Sequence, residues 1–260
     1  MKLLRFEHNS AIQTGILEAG LVRSVEQDLL SIIQGGVLPR AHGHPIPFVE
    51  VKPLLPYDVP PKIWCIGLNY KSHADDIQAV QPDEPGSFMK PASCMFSPGG
   101  NIVLPPPEIS DDVDAEGELG VIIGTQCRFV DDARSVIFGY TTTLDMTALD
   151  ILKKNPRYLT RAKSIDTFFS FGPVVVTADE IPDVDALEVI TEHNGAVCSR
   201  DFVRNMRHRP FELVQFHSRY MTLYPGDLIS TGCPKGARIR AGDRVCARIE
   251  GVGMLEANVK

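Results

Sequence analysis

The sequence lacks the features that mark several large classes of protein. No apolar run among its 260 residues is long enough to cross a membrane, and the N-terminal stretch Met-Lys-Leu-Leu-Arg-Phe-Glu-His lacks the apolar core of a signal peptide. No basic run is present, and the net charge of −7 argues against general nucleic-acid binding. We therefore expect a cytoplasmic protein that binds neither membranes nor nucleic acid.

The motifs of several enzyme classes are also missing. The sequence contains no phosphate loop, no dinucleotide fingerprint and no Gly-x-Ser-x-Gly elbow, which argues against nucleotide-dependent enzymes and serine hydrolases of that kind. The six cysteines form no Cys-x-x-Cys pair and no Cys/His cluster with zinc spacing, so we expect free, partly buried thiols. They are Cys65, Cys94, Cys127, Cys198, Cys233 and Cys246.

What is present suits a β-rich globular protein. The 21 glycines and 20 prolines favour a fold with many turns. A proline-rich linker from Pro53 to Pro61 divides a small N-terminal domain, residues 1–57, from a main domain, residues 58–260. The first domain is predicted to contain two strands and one helix, at Lys2–Phe6, Ala19–Val25 and Val25–Gln34.

Apolar patterns and turn residues also divide the main domain into short elements. The Asn194-Gly195 pair between alternating segments predicts a type I′ hairpin, and Pro210 predicts the start of a helix that runs to Tyr220. Strands are predicted at residues 62–68, 119–123, 139–144, 228–231, 244–249 and 254–259.

Two glutamates two residues apart are the centre of the functional argument. On a strand, Glu116 and Glu118 point to the same face, and Gly117 between them allows another group to come close. A third acid, Asp145, follows the strand predicted at 139–144. Three carboxylates with no Cys or His nearby favour a hard cation such as Mg²⁺, Mn²⁺ or Ca²⁺ over Zn²⁺. The alternative is the solvated face of an edge strand.

A second candidate group lies after the strand predicted at 62–68. His73 and Asp76 are three residues apart and are neighbours on a helical face, where a carboxylate can orient an imidazole as a general base. The alternative is an exposed surface histidine. Lys90, after a loop rich in proline and glycine, is either a contact for an anionic substrate or a solvated loop lysine.

Seven segments, taken in order, resemble the fumarylacetoacetate hydrolase superfamily. They are Ile-Gly-Leu-Asn-Tyr-Lys-Ser-His (66–73), Phe-Met-Lys-Pro (88–91), Glu-Gly-Glu-Leu (116–119), Leu-Asp-Met-Thr-Ala-Leu-Asp (144–150), Arg-Ala-Lys-Ser-Ile-Asp-Thr-Phe (161–168), Gly-Pro (172–173) and Pro-Gly-Asp-Leu-Ile-Ser-Thr-Gly-Cys-Pro-Lys-Gly (225–236). The resemblance implies an α+β, mostly β fold. This is the mixed β-sandwich roll of the superfamily, with a few short helices and a small N-terminal domain.

The resemblance also implies a ligand set and a substrate class. Glu116, Glu118 and Asp145 would bind Mg²⁺ or Mn²⁺, with Ca²⁺ possible in crystals, and the substrate would be a small anionic 2-oxo acid. Lys163 would contact a substrate oxygen and a carboxylate ligand; the alternative is a surface lysine at a helix end. Thr231 would lie at the substrate carboxylate. A homodimer is expected.

Further roles implied by the resemblance concern water activation. His73 would activate water within a lid, oriented by Asp76, which stands where the superfamily usually has glutamate.

Three leucines replace polar residues of the superfamily near the aspartate ligand. Where the superfamily carries arginine and glutamine after the aspartate ligand, this chain has Leu149 and Leu152, and Leu144 replaces an asparagine. We therefore expect a pocket that is more apolar on one side.

The predicted function is a divalent-metal-dependent hydrolase that cleaves a C–C bond in a 2-oxo or 1,3-dicarbonyl acid. The surviving His73 favours hydrolysis over the alternatives within the superfamily, which are decarboxylation, tautomerisation, isomerisation and dehydration of a 2-oxo acid. An alternative from another class is a metal-binding scaffold without turnover.

Overall fold

The computed structural model describes residues 1–76 and 80–260, and for Asp76 the backbone alone. Within these ranges the chain forms seventeen strands and five α-helices. The strands are β1 (Lys2–His8), β2 (Ala11–Glu18), β3 (Leu21–Val25), β4 (His42–Pro47), β5 (Lys52–Pro53), β6 (Ile63–Gly67), β7 (Gly86–Met89), β8 (Asn101–Ile102), β9 (Val113–Ile123), β10 (Ile137–Ala148), β11 (Phe169–Thr177), β12 (Glu188–His193), β13 (Ala196–Phe202), β14 (Leu228–Ser230), β15 (Ala237–Ile239), β16 (Arg244–Ile249) and β17 (Gly253–Val259).

The helices are short, and most lie between strands. The α-helices are α1 (Leu29–Gly35), α2 (Lys71–Asp76), α3 (Leu149–Lys154), α4 (Leu159–Lys163) and α5 (Pro210–Tyr220). Single 3-10 turns occur at Phe48–Glu50, Ala92–Cys94, Ala133–Val136, Ala178–Glu180, Val184–Ala186 and Val203–Asn205. Among residues 1–76 and 80–260, none of the helices has both the length and the apolar character needed to span a membrane.

The strands of the described residues form two sheets. The larger one has the order β4-β3-β2-β1-β11-β10-β9-β14-β6-β7, with β5 added to β1 and β15 to β9, and the smaller one has the order β13-β12-β16-β17-β8. Most neighbours are antiparallel, whereas β14 runs parallel to β6 and β17 parallel to β8. This mostly β, mixed architecture with a few short helices confirms the predicted fold class.

The two sheets meet behind the acidic strand. A methyl group at Gly117 would lie 2.6 Å from the Thr191 Oγ1 of β12 and 2.9 Å from the Ala247 Cβ of β16. The Gly117 amide donates a hydrogen bond to Thr191 Oγ1 at 3.1 Å. The predicted close approach at Gly117 is therefore confirmed, and the approaching group is the second sheet. Because side chains alternate along a strand, Glu116 and Glu118 project from the opposite face.

The long strands β9 and β10 pair along their whole lengths and form the centre of the larger sheet. Their antiparallel register sets Asp145 opposite Glu116 and Thr143 opposite Glu118. The prediction that Asp145 follows its strand was wrong, because β10 continues to Ala148. The polar residues 145 and 147 lie inside the strand, facing polar groups of β9, so they do not end it.

The N-terminal segment adds strands to the same sheet. β1 pairs with β11 through Leu3 and Val175, so β1–β4 extend the larger sheet at one edge. The strand at Ala11–Glu18 was missed, and the helix predicted from Val25 begins at Leu29 instead. The helix begins there because Asp28 caps it, accepting a hydrogen bond from the Ser31 amide. The division at residues 57 and 58 stays a prediction.

Several local predictions are confirmed. Asn194 and Gly195 have φ angles of 52° and 80°, as a type I′ turn requires, and join β12 to β13. Helix α5 begins at Pro210 as expected. All six cysteines are free; four of them are buried, Cys127 is intermediate and Cys198 is exposed.

Candidate functional site

The glutamate pair lies in the middle of the larger sheet. β9 is flanked by β10 on one side and by β14 and β15 on the other, and every residue of β9 is buried. Glu116 is 7% exposed and Glu118 is 1% exposed. The alternative of a solvated edge strand is therefore wrong. Two neighbouring carboxylates in such a position require cations or hydrogen-bond donors close by.

Two buried lysines contact the acids of β9 and β10. Lys163, the last residue of α4, donates from Nζ to Glu116 Oε2 and to Asp145 Oδ2, at 2.9 Å in both cases. Lys90 Nζ donates to the other oxygen of Asp145 and, at 3.3 Å, to the Met146 carbonyl. Both lysines are buried, so neither is the solvated surface residue considered from the sequence. Their predicted contacts with substrate stay predictions.

Hydroxyl and amide donors complete the surroundings of the glutamates. Thr147 Oγ1 donates to Glu116 Oε1 from the neighbouring strand. Glu118 Oε2 accepts from Ser230 Oγ at the end of β14 and from the Gly232 amide at 2.9 Å. These contacts fix both carboxylates, and they connect β9 to the loop that follows β14.

Burial and mutual repulsion set the protonation of the site. Burial, followed by the charges of Asp145 and Glu116, raises the pKa of Glu118 to about 8. Burial also acts to raise the pKa of Glu116, but Lys163, with His73 and Thr147, outweighs it and lowers that pKa. Burial acts to lower the pKa of Lys163, yet the three acids hold it well above its usual value. The lysine is therefore charged.

A cysteine lies among the acids, which the sequence did not indicate. Among the described residues, the donor atoms of Glu116, Glu118 and Cys233 lie within 4.8 Å of one another. The expectation that no Cys or His lies nearby was wrong, since His73 is also close enough to lower the pKa of Glu116. The only trace of this in the sequence is that Cys233 stands in a loop flanked by Gly232 and Gly236, directly after the strand predicted at 228–231. Asp145 is outside this set of three, and its role as a metal ligand stays a prediction.

Thr231 makes a backbone contact in this structure. Its amide and its Oγ1 both donate to the Leu119 carbonyl, at 3.0 and 2.9 Å. The hydroxyl thereby fixes the start of the loop that contains Cys233. Its predicted contact with a substrate carboxylate stays a prediction.

Asn69 connects three segments around the site, a structural role that the sequence did not indicate. Its Nδ2 donates to the carbonyls of His208 and Thr231, at 2.8 and 2.7 Å, and its Oδ1 accepts from the His208 amide. The left-handed backbone of Leu68, with φ of 56°, precedes it. The signal available in the sequence was its place in the segment 66–73, four residues before the candidate general base His73.

The predicted His73–Asp76 pair is described only in part. His73 lies on α2, partly buried and near Glu116. The side chain of Asp76 lies outside the described residues, so the pairing stays a prediction. His73 is not the exposed loop histidine of the alternative interpretation, because it belongs to a helix beside the acids.

Two of the three leucines that depart from the superfamily pattern, Leu144 and Leu152, pack with apolar groups. Leu152 packs against the apolar cluster that contains Leu144 and Ile151, and Leu149 begins α3 with its amide donating to the Asp112 carbonyl at 2.8 Å. Leu144 is fully buried. The predicted apolar side of the pocket stays a prediction.

The family and the relatives of this chain agree with the geometry. The family model described as fumarylacetoacetate (FAA) hydrolase C-terminal matches residues 62–260. The chain is 34% identical to the 2,4-didehydro-3-deoxy-L-rhamnonate hydrolase of Sphingomonas sp. (strain SKA58), over 100% of this chain and 96% of the relative. It is 35% identical to the mitochondrial oxaloacetate tautomerase FAHD2A of Bos taurus, over 81% of this chain and 70% of the relative.

Solved structures show the same architecture. The fumarylacetoacetate hydrolase of Exiguobacterium antarcticum superposes with a TM-score of 0.88 and 31% identity, over 100% of this chain and 99% of that one. The maleylpyruvate hydrolase of Sphingobium sp. SYK-6, solved in complex with manganese(II) ion and pyruvate, gives 0.80 and 27%, over 100% and 98%. The chain belongs to the fumarylacetoacetate hydrolase family, whose named members are enzymes.

Proposed function

We propose that this protein is a divalent-metal-dependent hydrolase that cleaves a C–C bond in a 2-oxo or 1,3-dicarbonyl acid, such as an acylpyruvate. The observation that carries the proposal is the buried group in which Lys163 bridges Glu116 and Asp145, with Glu118 beside them. A relative that is similar over the whole chain is named a hydrolase, which supports this reaction class.

The acids fit a divalent cation. Glu116 and Glu118 offer oxygen donors from one strand face, and Asp145 adds a third carboxylate from the facing register position. Oxygen-rich sets of this kind suit Mg²⁺ or Mn²⁺. A bound ion would supply Lewis acidity that polarises the substrate's carboxylate and 2-oxo oxygens.

Lys163 has two tasks in this scheme. Its ammonium group offsets part of the negative charge of the acids, so that an anionic substrate can approach. It would also stabilise negative charge on the substrate oxygen as the enolate develops, because it is a fixed cation in a site shielded from water. The two 2.9 Å contacts with Glu116 and Asp145 hold Nζ in place for both tasks.

His73 would act as the general base. It takes a proton from water, whose oxygen adds to the distal carbonyl carbon of the substrate. The bond from that carbon to the central CH₂ then breaks, and its electron pair becomes the enolate of the 2-oxo acid. A proton added at the CH₂ gives the free 2-oxo acid, and the other product is a carboxylic acid that contains the water oxygen.

A second candidate is a tautomerase or decarboxylase that acts on a 2-oxo acid such as oxaloacetate. The 35% identity to an oxaloacetate tautomerase favours it, and it uses the same enolate without attack by water. In this reaction Lys163 keeps its task and His73 has no water to activate. Turnover therefore requires His73 if the reaction is hydrolysis, and does not require it if the reaction is tautomerisation or decarboxylation.

The test is a screen of acylpyruvates and oxaloacetate with Mg²⁺ or Mn²⁺, which follows loss of enol absorbance in water enriched in ¹⁸O. Hydrolysis predicts one ¹⁸O atom in the carboxylic acid product and loss of turnover in His73→Ala. The surface variant His44→Ala, in β4 and away from the acids, is the matched control and should keep full turnover.

Other outcomes assign the alternatives. Consumption of oxaloacetate without ¹⁸O in the carboxylate groups of the product, with His73→Ala still active, would replace hydrolysis by tautomerisation or decarboxylation. Thermal stabilisation by Mg²⁺ with no consumption of any substrate in the screen would instead indicate the metal-binding scaffold.

A further inference from the structure

Cys233 lies in the acid group, and the proposed function assigns it no role. Its Sγ and the carboxylate oxygens of Glu116 and Glu118 lie within 4.8 Å of one another, and the residue is 3% exposed. Oxygen and sulfur ligands about 2.0–2.3 Å from a shared ion are separated by no more than about 4.5 Å. The three donor atoms therefore need only a small movement to contact one ion.

The backbone on both sides of Cys233 is held in place. The Gly232 amide donates to Glu118 Oε2 at 2.9 Å, and the Thr231 amide donates to the Leu119 carbonyl at 3.0 Å. Gly232 adopts a φ of 93° and lies against Asn69, where a methyl group would come within 2.8 Å of the Asn69 Cβ. The thiol is consequently positioned by the same loop that binds the glutamate.

The chemistry of the donors decides which ion they prefer. Two carboxylates alone suit hard cations such as Mg²⁺, whereas a thiolate is a soft ligand that selects ions such as Zn²⁺. We propose that Cys233 is a metal ligand of this site and gives it a preference for thiophilic divalent ions over Mg²⁺. The inference rests on the proposed metal-dependent function, since it uses the same two glutamates.

The binding step balances without an oxidant or reductant. The S–H bond of Cys233 breaks and its proton leaves to the solvent, while a sulfur electron pair forms the bond to the ion. With Asp145 as the third carboxylate, three carboxylates, one thiolate and one divalent ion have a net charge of −2, and the ammonium of Lys163, which pairs with Glu116 and Asp145, reduces it to −1. The charged lysine therefore makes the additional anion tolerable.

Co²⁺ is the probe, because its absorption separates two questions. Visible bands that are shifted and more intense than those of aqueous Co²⁺ report Co²⁺ held by protein ligands, whereas an intense near-ultraviolet charge-transfer band appears only when a thiolate binds the ion. We expect the metal-free protein to show both kinds of band at one equivalent of Co²⁺. We expect Cys233→Ser to keep visible bands and to lose the charge-transfer band.

Cys65→Ala is the matched control, because Cys65 is a second buried thiol near Asp145 that lies outside the set of three donors. It should keep the charge-transfer band. Circular dichroism confirms that each variant is folded, and Cys233→Ala replaces the serine variant if that one does not fold. In competition with Co²⁺, the apparent affinity for Zn²⁺ should fall at least about tenfold in Cys233→Ser, with little change for Mg²⁺.

The outcomes separate this inference from the proposed function. Visible bands without a charge-transfer band in the wild-type protein would overturn the role of Cys233 and leave the metal-dependent function in place. A charge-transfer band that persists in Cys233→Ser would do the same. Absence of any Co²⁺ binding, together with turnover that chelators do not affect, would overturn both.

Discussion

Two lysines at the ends of consecutive helices make ion pairs of equal length in different surroundings. Lys153, in the last turn of α3, is 2.9 Å from Asp112, and 66% of its side chain is exposed. Lys163, at the end of α4, is 2.9 Å from both Glu116 and Asp145, with 7% exposed. Solvent screens the first pair, whereas loss of the second cation would leave buried charge uncompensated. The burial of each ion pair therefore decides how much it contributes to the stability of the fold.

Substitution of the two lysines by methionine should show the largest difference. Lys163→Met should lower kcat about 10²–10³-fold, because a fixed cation at the enolate is lost. It should lower the free energy of unfolding by about 3–5 kcal/mol, because buried carboxylates lose a partner. Steady-state kinetics and urea denaturation measure the two effects.

The control for this change is Lys153→Met. It should leave activity unchanged and cost about 1 kcal/mol or less, since that pair is exposed to solvent. Equal losses of stability in the two variants would contradict the comparison.

Two glycines repeat the comparison in the backbone. Gly232 and Gly242 have φ angles of 93° and 94°, but an added methyl group meets Asn69 and the Ile66 carbonyl at the first and open space at the second. Gly232→Ala should cost about 2–4 kcal/mol from strain and crowding together, and Gly242→Ala about 1 kcal/mol from strain alone. Thermal and urea denaturation compare them. Similar losses of stability in the two variants would show that the loop after β14 can shift to accommodate the methyl group.

The pKa of Glu118 predicts how the metal-free protein responds to pH. A carboxyl whose folded pKa is raised to about 8 takes up a proton on folding, so stability falls as pH rises from about 5 to about 8. Glu118→Gln removes this dependence and should stabilise the metal-free protein by about 2 kcal/mol at pH 8. If Glu118 is a metal ligand, as proposed, the same variant should lose metal binding.

Urea denaturation at pH 5 and pH 8, and calorimetric titration with Mn²⁺, test both parts. A variant that is less stable than the wild-type protein at pH 8 would show that the carboxylates do not repel each other as the geometry indicates.

The smallest effect is expected for Asp243, which lies outside the buried acid group and bonds to the β12–β13 hairpin. Hydrogen bonds from Asn194 and His193 lower the pKa of Asp243 to about 2, from an ordinary value of 3.8. Because the folded pKa is lowered, the stabilisation is present above pH 4 and is lost as pH falls towards 2. Asp243→Asn should cost no more than about 1 kcal/mol at pH 7 and nothing at pH 2, measured by thermal denaturation. A larger cost at pH 7 would assign the hairpin a greater share of the stability.

Local signals in the sequence were enough for many strands and for the acid pair. Glu116 and Glu118 were placed on one face from the period of a strand, and the Asn194-Gly195 turn from its composition. The helix at Leu29 was predicted too long, because the capping effect of Asp28 was not recognised. These features depend on neighbours in the chain, which a sequence shows directly.

Contacts between distant segments were not predictable in the same way. Cys233 joins the acids only because β14 pairs with β9, and Lys90 is buried only because its loop returns to β10. The residues that neighbour Cys233 and Lys90 in the sequence do not indicate either of these contacts. The departures at Leu149 and Leu152 were visible in the sequence, but their effect on the pocket depends on a substrate.

The contact behind Gly117 has a consequence for how the enzyme can be altered. The second sheet touches the reverse side of the acid-bearing strand with no space for a methyl group, so it supports the face from which Glu116 and Glu118 project. Replacement of Thr191 by a larger residue would push that strand forward and change the spacing of the glutamates without any contact with a ligand. Substitutions in the second sheet would therefore change the spacing of the proposed metal ligands, and directed evolution could use such positions to alter metal affinity.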